Sequence, residues 1–214
     1  LMELNELISR HKNELNFFPF LKKAQVYEEI RKYDKSLECY GKVLELDPEN
    51  STVNNSIGEI YEILKDYDKA LEYYSKQIEI EKSAYFYLNR GLLYAKINRF
   101  EEAKRDYESA MNLEPENPYP YNNLGCLYER LDKFEEAIPY YKKAIEVDTN
   151  KDDMRFYKNL IGCYGKLGKN ELAIEYYNKA IDDFKLEDEL YYKKAKLLKK
   201  MKLYGEAIKA YIKG

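Results

Sequence analysis

Residues 118–148 read PYPYNNLGCLYERLDKFEEAIPYYKKAIEVD, and this stretch decides the fold. Tyr121, Leu124, Gly125 and Tyr128 recur at the three- and four-residue steps of one helix face. A polar break at Asp132 and Lys133 follows, and Phe134, Ala137, Ile138, Tyr141, Ala144 and Ile145 then repeat the rhythm. Glu135 and Glu136 open the second helix and Lys142 and Lys143 sit late in it, matching the helix dipole at both ends. The stretch predicts an antiparallel helical hairpin.

Working outward, the same hairpin recurs along nearly the whole chain. A small residue followed four positions later by tyrosine marks it: Ser36/Tyr40, Ala70/Tyr74, Ala103/Tyr107, Ala137/Tyr141, Ala173/Tyr177 and Ala207/Tyr211, spaced by 34, 33, 34, 36 and 34 residues. A period of this size means stacked supersecondary units. Ala24, Gly58, Gly91, Gly125 and Ala195 place small residues on the first helices. Glycine inside a helix costs about 1 kcal/mol relative to alanine, so its recurrence predicts close helix approach. Pro48 and Pro115 fall just after second helices, where a helix must stop.

These marks resemble the tetratricopeptide repeat family: a large aromatic, Leu-Gly and Tyr on the first helix, then Ala, aromatic, Ala and Pro on the second. The resemblance spans residues 17–214, with units starting near residues 17, 51, 84, 118, 154 and 188. It implies an all-α, right-handed superhelical solenoid of stacked antiparallel hairpins, about five and a half repeats plus an N-terminal helix. Residues 1–16 carry apolar residues at helical spacing and are expected to cap the first hairpin or to be a degenerate repeat. The chain has no tryptophan. Phe20, Tyr87, Tyr121, Tyr157 and Tyr191 take the family's large-aromatic place, which Asn54 abandons outright. In the fifth unit Ile161 holds the usual glycine place, with Gly162 beside it.

Composition narrows the function. Charged residues make up 35% with a net charge of −3, which gives no overall field for nucleic acid or an anionic membrane. Three cysteines, Cys39, Cys126 and Cys163, are odd in number and outside any C-x-x-C pattern, as expected of free thiols in a reducing compartment. No run approaches the roughly 18 apolar residues of a membrane span, so the expectation is a cytoplasmic chain. His11 is the only histidine, which removes His-based triads and multi-His metal sites. Asp148, Asn150 and Asp152 imitate the start of a calcium loop, but Asp153 stands where glycine is needed and Asn159 where a bidentate glutamate is needed. Gly165 and Gly168-Lys169 only faintly resemble a phosphate loop, since Asn170 is neither Ser nor Thr. No enzyme, cofactor or metal is expected.

In a superhelix of hairpins the first helices line the inner groove. Phasing on the repeat puts Glu28, Glu59 and Glu62 on the early part of that face, and Tyr85, Leu88, Asn89, Leu92, Tyr119, Asn122 and Asn123 in the middle. Arg155, Lys158, Asn159, Lys193 and Lys196 lie on the late, basic part. Asn89, Asn123 and Asn159 hold one equivalent place, and a row of amides can grip an extended peptide's backbone whatever its sequence. The resemblance implies the same, since peptide-binding members of the family carry such an asparagine ladder. The family's clamp for chaperone C-termini has no match, because Glu59 and Tyr119 stand where it needs basic or amide groups. The expected function is a non-enzymatic scaffold binding an extended peptide or protein segment, acidic where it meets the late basic residues. The alternative is a structural module that self-associates through its last repeat or packs on another domain of a longer chain.

Overall fold

The computed structural model describes residues 17–50, 52–151, 153–184 and 188–213. The expected N-terminal helix over residues 1–16, together with His11, and the calcium-loop mimic's Asp152 lie outside the described residues. Among the described residues twelve helices follow one another: α1 (17–29), α2 (Tyr33–Leu46), α3 (Val53–Ile63), α4 (Tyr67–Ile80), α5 (Ala84–Lys96), α6 (Phe100–Leu113), α7 (Pro118–Arg130), α8 (Phe134–Val147), α9 (Arg155–Lys166), α10 (Asn170–Phe184), α11 (Asp188–Lys200) and α12 (Tyr204–Lys213). There is no strand among the described residues. The chain divides into two compact units, one ending at Arg99 after α5 and one beginning at Phe100 with α6.

Within each unit, helices adjacent in sequence pack against one another, as a stack of hairpins requires. In the first unit, Ala24, Cys39, Tyr40, Val43, Val53, Ile57 and Ile60 form one apolar core, while Ala70, Leu71, Tyr74 and Leu93 form another. In the second unit the main core joins Ala137, Tyr141 and Ala144 of α8 to Phe156, Tyr157, Leu160 and Tyr164 of α9 and Ala173 of α10. The small-then-tyrosine marks are buried: Ser36, Ala70, Ala103, Ala137 and Ala173 are each fully covered. Ser36 also donates its hydroxyl to the Ala24 carbonyl at 2.9 Å, tying α2 to α1.

Gly58 and Gly125 sit where helices touch. A Cβ on Gly58 would lie 2.6 Å from the Tyr74 ring, and one on Gly125 would lie 2.6 Å from the Tyr141 ring. At Gly162 a Cβ would meet nothing within 4 Å, because Ile161 takes the buried place beside it.

Each first helix ends in the same turn. Arg31, Lys65, Asn98, Asp132, Gly168 and Lys202 adopt φ between +56° and +68°, one after each first helix. The following N–H closes back on the helix, as from Asp66 to the Tyr61 carbonyl at 2.9 Å and from Lys133 to the Tyr128 carbonyl at 2.9 Å. This is the left-handed stop that satisfies the last carbonyls of a helix. Gly168-Lys169 belongs to this series, which accounts for the phosphate-loop likeness. Two first helices, α5 and α7, begin on side-chain caps: Ser83 accepts from the Tyr85 N–H, and Asn117 accepts from the Tyr119 N–H with Pro118 at the helix start.

Candidate functional site

The amides on the first helices find one another. In the first unit, Asn89 on α5 donates its Nδ2 to Asn55 Oδ1 on α3 at 3.1 Å, and Asn55 donates to Glu59 Oε1 at 2.7 Å. Tyr85, 53% exposed at the start of α5, makes a long 3.5 Å contact from its hydroxyl to the same Glu59 oxygen. In the second unit, Asn159 on α9 donates to Asn122 Oδ1 on α7 at 2.8 Å. Each bond runs from the ladder position of one first helix to the position just before it on the preceding first helix. An amide has two N–H donors and two acceptor lone pairs, so Asn89 and Asn159 each keep hydrogen-bonding capacity after this bond.

Sequence phasing put Leu88 on the open face, and the structure corrects this: Leu88 is buried. Its slot, one past the large aromatic, is the slot of Asn55 and Asn122, and those are buried too. Asn123 is half-buried and makes no side-chain hydrogen bond among the described residues. Asn89 and Tyr85 belong to the first unit, and Tyr119, Asn122, Asn123, Arg155, Lys158, Asn159, Lys193 and Lys196 to the second. Tyr119 is exposed on α7, its ring edge-on to Phe156 of α9 at 5.9 Å between centroids.

The charges on these faces have protein partners. Glu28, Glu62 and Glu129 each accept a tyrosyl hydroxyl from the second helix of their own hairpin: Tyr40 at 2.8 Å, Tyr74 at 3.1 Å and Tyr141 at 2.8 Å. Sequence reasoning missed this lock, although its signal is plain: glutamate and tyrosine stand twelve residues apart in all three hairpins. Lys96 of α5 also reaches Glu62 at 2.8 Å. On the basic side, Arg155 pairs with Asp153 at 2.5 Å, and Lys158 and Lys193 share Glu189 at 3.2 and 2.6 Å. The cations of these pairs are exposed, although Asp153 is mostly covered, so a ligand's carboxylates can compete for them. Lys196 is exposed.

Burial sets the protonation chemistry. Burial pushes the Glu59 carboxyl above its ordinary range; Asn55 pulls it back, and the nearby Glu28 and Glu62 push it further up. Burial likewise raises the thiols of Cys126 and Cys163, the latter to about 12, so neither is an activated nucleophile. Cys126 Sγ accepts from the Asn159 amide at 3.6 Å and lies 3.4 Å from the Tyr141 oxygen, whose proton goes to Glu129. Among the described residues no group of three or more His, Cys, Asp or Glu could hold a metal ion, and no helix is long and apolar enough to cross a membrane.

Hairpins repeated at this period, with amides paired across successive first helices, define a helical-repeat protein. Four family profiles described as tetratricopeptide repeat or TPR repeat match residues 21–80, 91–132, 118–150, and 162–182 with 188–214. The chain belongs to the tetratricopeptide repeat family. No curated protein matches it. Among solved structures it is similar to the MamA protein at 23% identity, covering 78% of this chain and 91% of that one with a TM-score of 0.67. It is similar to pilF of Pseudomonas aeruginosa at 17% identity, covering 93% and 90% with a TM-score of 0.71. A third likeness, at 19% identity, 80% and 88% coverage and a TM-score of 0.59, is to YrrB, described as a TPR protein with an unusual peptide-binding site. Identities this low speak for the fold alone.

Proposed function

We propose that the protein is a non-catalytic interaction scaffold whose first-helix faces bind an extended peptide or protein segment. The observation that carries this reading is the pairing of amides on neighbouring first helices, Asn89 with Asn55 and Asn159 with Asn122. Each pair fixes the orientation of a side chain whose amide oxygen can still accept from a peptide backbone N–H, so less rotamer entropy is lost on binding. Exposed Tyr85 and Tyr119 stand beside the pairs and offer apolar contact with a polar tip. Arg155, Lys158, Lys193 and Lys196 favour acidic residues in the segment that meets α9 and α11. The peptide-binding site in the description of YrrB and the general role of the family as adaptors point the same way.

The test is selection from a random peptide library displayed on phage, followed by calorimetry of the selected peptides. Asn123→Ala combined with Asn159→Ala weakens binding several-fold while the melting temperature stays close to that of the parent. Unchanged affinity removes the amides from the site. A second reading rests on α12, where Ile208, Tyr211 and Ile212 are 58%, 42% and 80% exposed although the equivalent Tyr40, Tyr74 and Tyr141 are buried. Such a face suits docking of a second copy or another domain. Sedimentation at several concentrations decides, since a monomer throughout excludes self-association.

A further inference from the structure

One position in the repeat is filled by a large aromatic in five units and by Asn54 in the second. Where the ring is present, its surroundings are defined. Tyr157 is buried, its ring 6.4 Å from that of Tyr176 and 6.1 Å from that of Phe184, and its hydroxyl donates to Asp183. Tyr121 donates its hydroxyl to the Pro115 carbonyl at 3.1 Å. Counting along the repeat, Tyr73 stands for Tyr176, Ile80 for Asp183 and Pro48 for Pro115.

One side of the frame around Asn54 matches that around Tyr157. Tyr73 packs on Tyr61 at 5.7 Å with Lys76 4.6 Å above its ring, as Tyr176 packs near Tyr164 at 5.6 Å with Lys179 4.5 Å above it. Ile80 and Glu81 stand in place of Asp183 and Phe184, and the central ring is missing. In its place is a cavity of about 540 Å³ lined by Leu44, Pro48, Asn54, Tyr73, Lys76 and Ile80, together with Glu49 and Glu79. Asn54 is 3% exposed, and its amide has no hydrogen-bond partner among the described residues. The amide lines the open pocket and keeps its donor and acceptor capacity toward it.

We infer that this cavity receives an aromatic side chain carrying an N–H or O–H, a tryptophan or tyrosine presented by a partner protein. Leu44, Pro48, Ile80 and the Tyr73 ring supply apolar and aromatic walls, as for the rings the chain inserts into itself at Tyr121 and Tyr157. The Asn54 amide supplies the acceptor for an indole N–H or phenol O–H. Pro48, Lys76, Glu79 and Ile80 are exposed, so the cavity opens to solvent. None of these residues belongs to the amide faces proposed to hold a peptide backbone, so either site can fail without the other.

The chain has no tryptophan, so indole emission reports the ligand alone. N-acetyl-tryptophanamide titrated against the protein gives a saturable blue shift. Asn54→Tyr, which restores the ring of the other units, abolishes the shift and raises the melting temperature. Asn54→Ala keeps the cavity but removes the amide, and weakens binding about tenfold, the loss of one buried hydrogen bond. Ile80→Arg at the exposed mouth reduces the shift even if Asn54→Tyr folds poorly. No saturable shift, or a shift that survives both Asn54→Tyr and Ile80→Arg, overturns the proposal. So does binding of free indole with exclusion of N-acetyl-tryptophanamide, because a side chain attached to a backbone would then not enter. A concentration-dependent dimer dissolved by Asn54→Tyr overturns the foreign partner in favour of a second copy's tyrosine.

Discussion

Glu59 is a carboxylate held where its charge is disfavoured, by burial first and by Glu28 and Glu62 beside it. Its raised pKa means that the folded chain binds this proton more tightly than the unfolded chain does. The resulting stabilisation is fully present below the ordinary carboxylate range and is lost as pH rises through the raised folded value. Glu59→Gln keeps an acceptor for Asn55 and Tyr85 and removes the charge. Denaturant unfolding from about pH 4 to about pH 8, a span bracketing the glutamate range, then shows a variant more stable than the parent at the upper end and a smaller decline on the way up. An unaltered pH profile contradicts this account of Glu59. Leu88 shows where residue-level reading fails. It neighbours Asn89, about 100° around a 3.6-residue helix, and only the packing of adjacent helices decides which of two such residues is covered. Periodicity assigns the stripe but not its edge.

At the scale of the element, the hairpin is governed by how closely its two helices approach. Gly58→Ala and Gly125→Ala each drive a methyl into a buried tyrosine ring from 2.6 Å, and each lowers stability by about 1–3 kcal/mol. Gly162→Ala meets open space on a helix and raises stability by up to about 1 kcal/mol. Thermal or denaturant unfolding of the three variants checks the contrast, and equal effects at all three positions would remove the close-approach argument. The hairpins themselves were legible because their marks are periodic: the small-then-tyrosine pair, the glycines and the proline stops. The amide pairing was not, since Asn159 and Asn122 are 37 residues apart and belong to neighbouring slots rather than to the same one. The expected row of Asn89, Asn123 and Asn159 assumed like contacts like. Successive first helices instead meet one residue out of step. The basic late face was legible as a set of cations, but their partners Asp153 and Glu189, just before or at the start of a helix, were not, since Lys158 and Glu189 are 31 residues apart.

At the scale of the whole molecule, the proposal is that a stack of tetratricopeptide hairpins acts through the surface its first helices present. The account's central claim is that the amide-paired faces of the first helices are that surface. Photocrosslinking tests it most directly. A benzophenone amino acid is placed at Tyr85, at Tyr119, or at Leu172, an exposed residue of the second helix α10, and each protein is irradiated with a library-selected peptide. Crosslinks form from position 85 or from position 119, each on its own unit, and not from 172 if a first-helix face holds the peptide; crosslinking from 172 alone, or equally from all three, contradicts the claim.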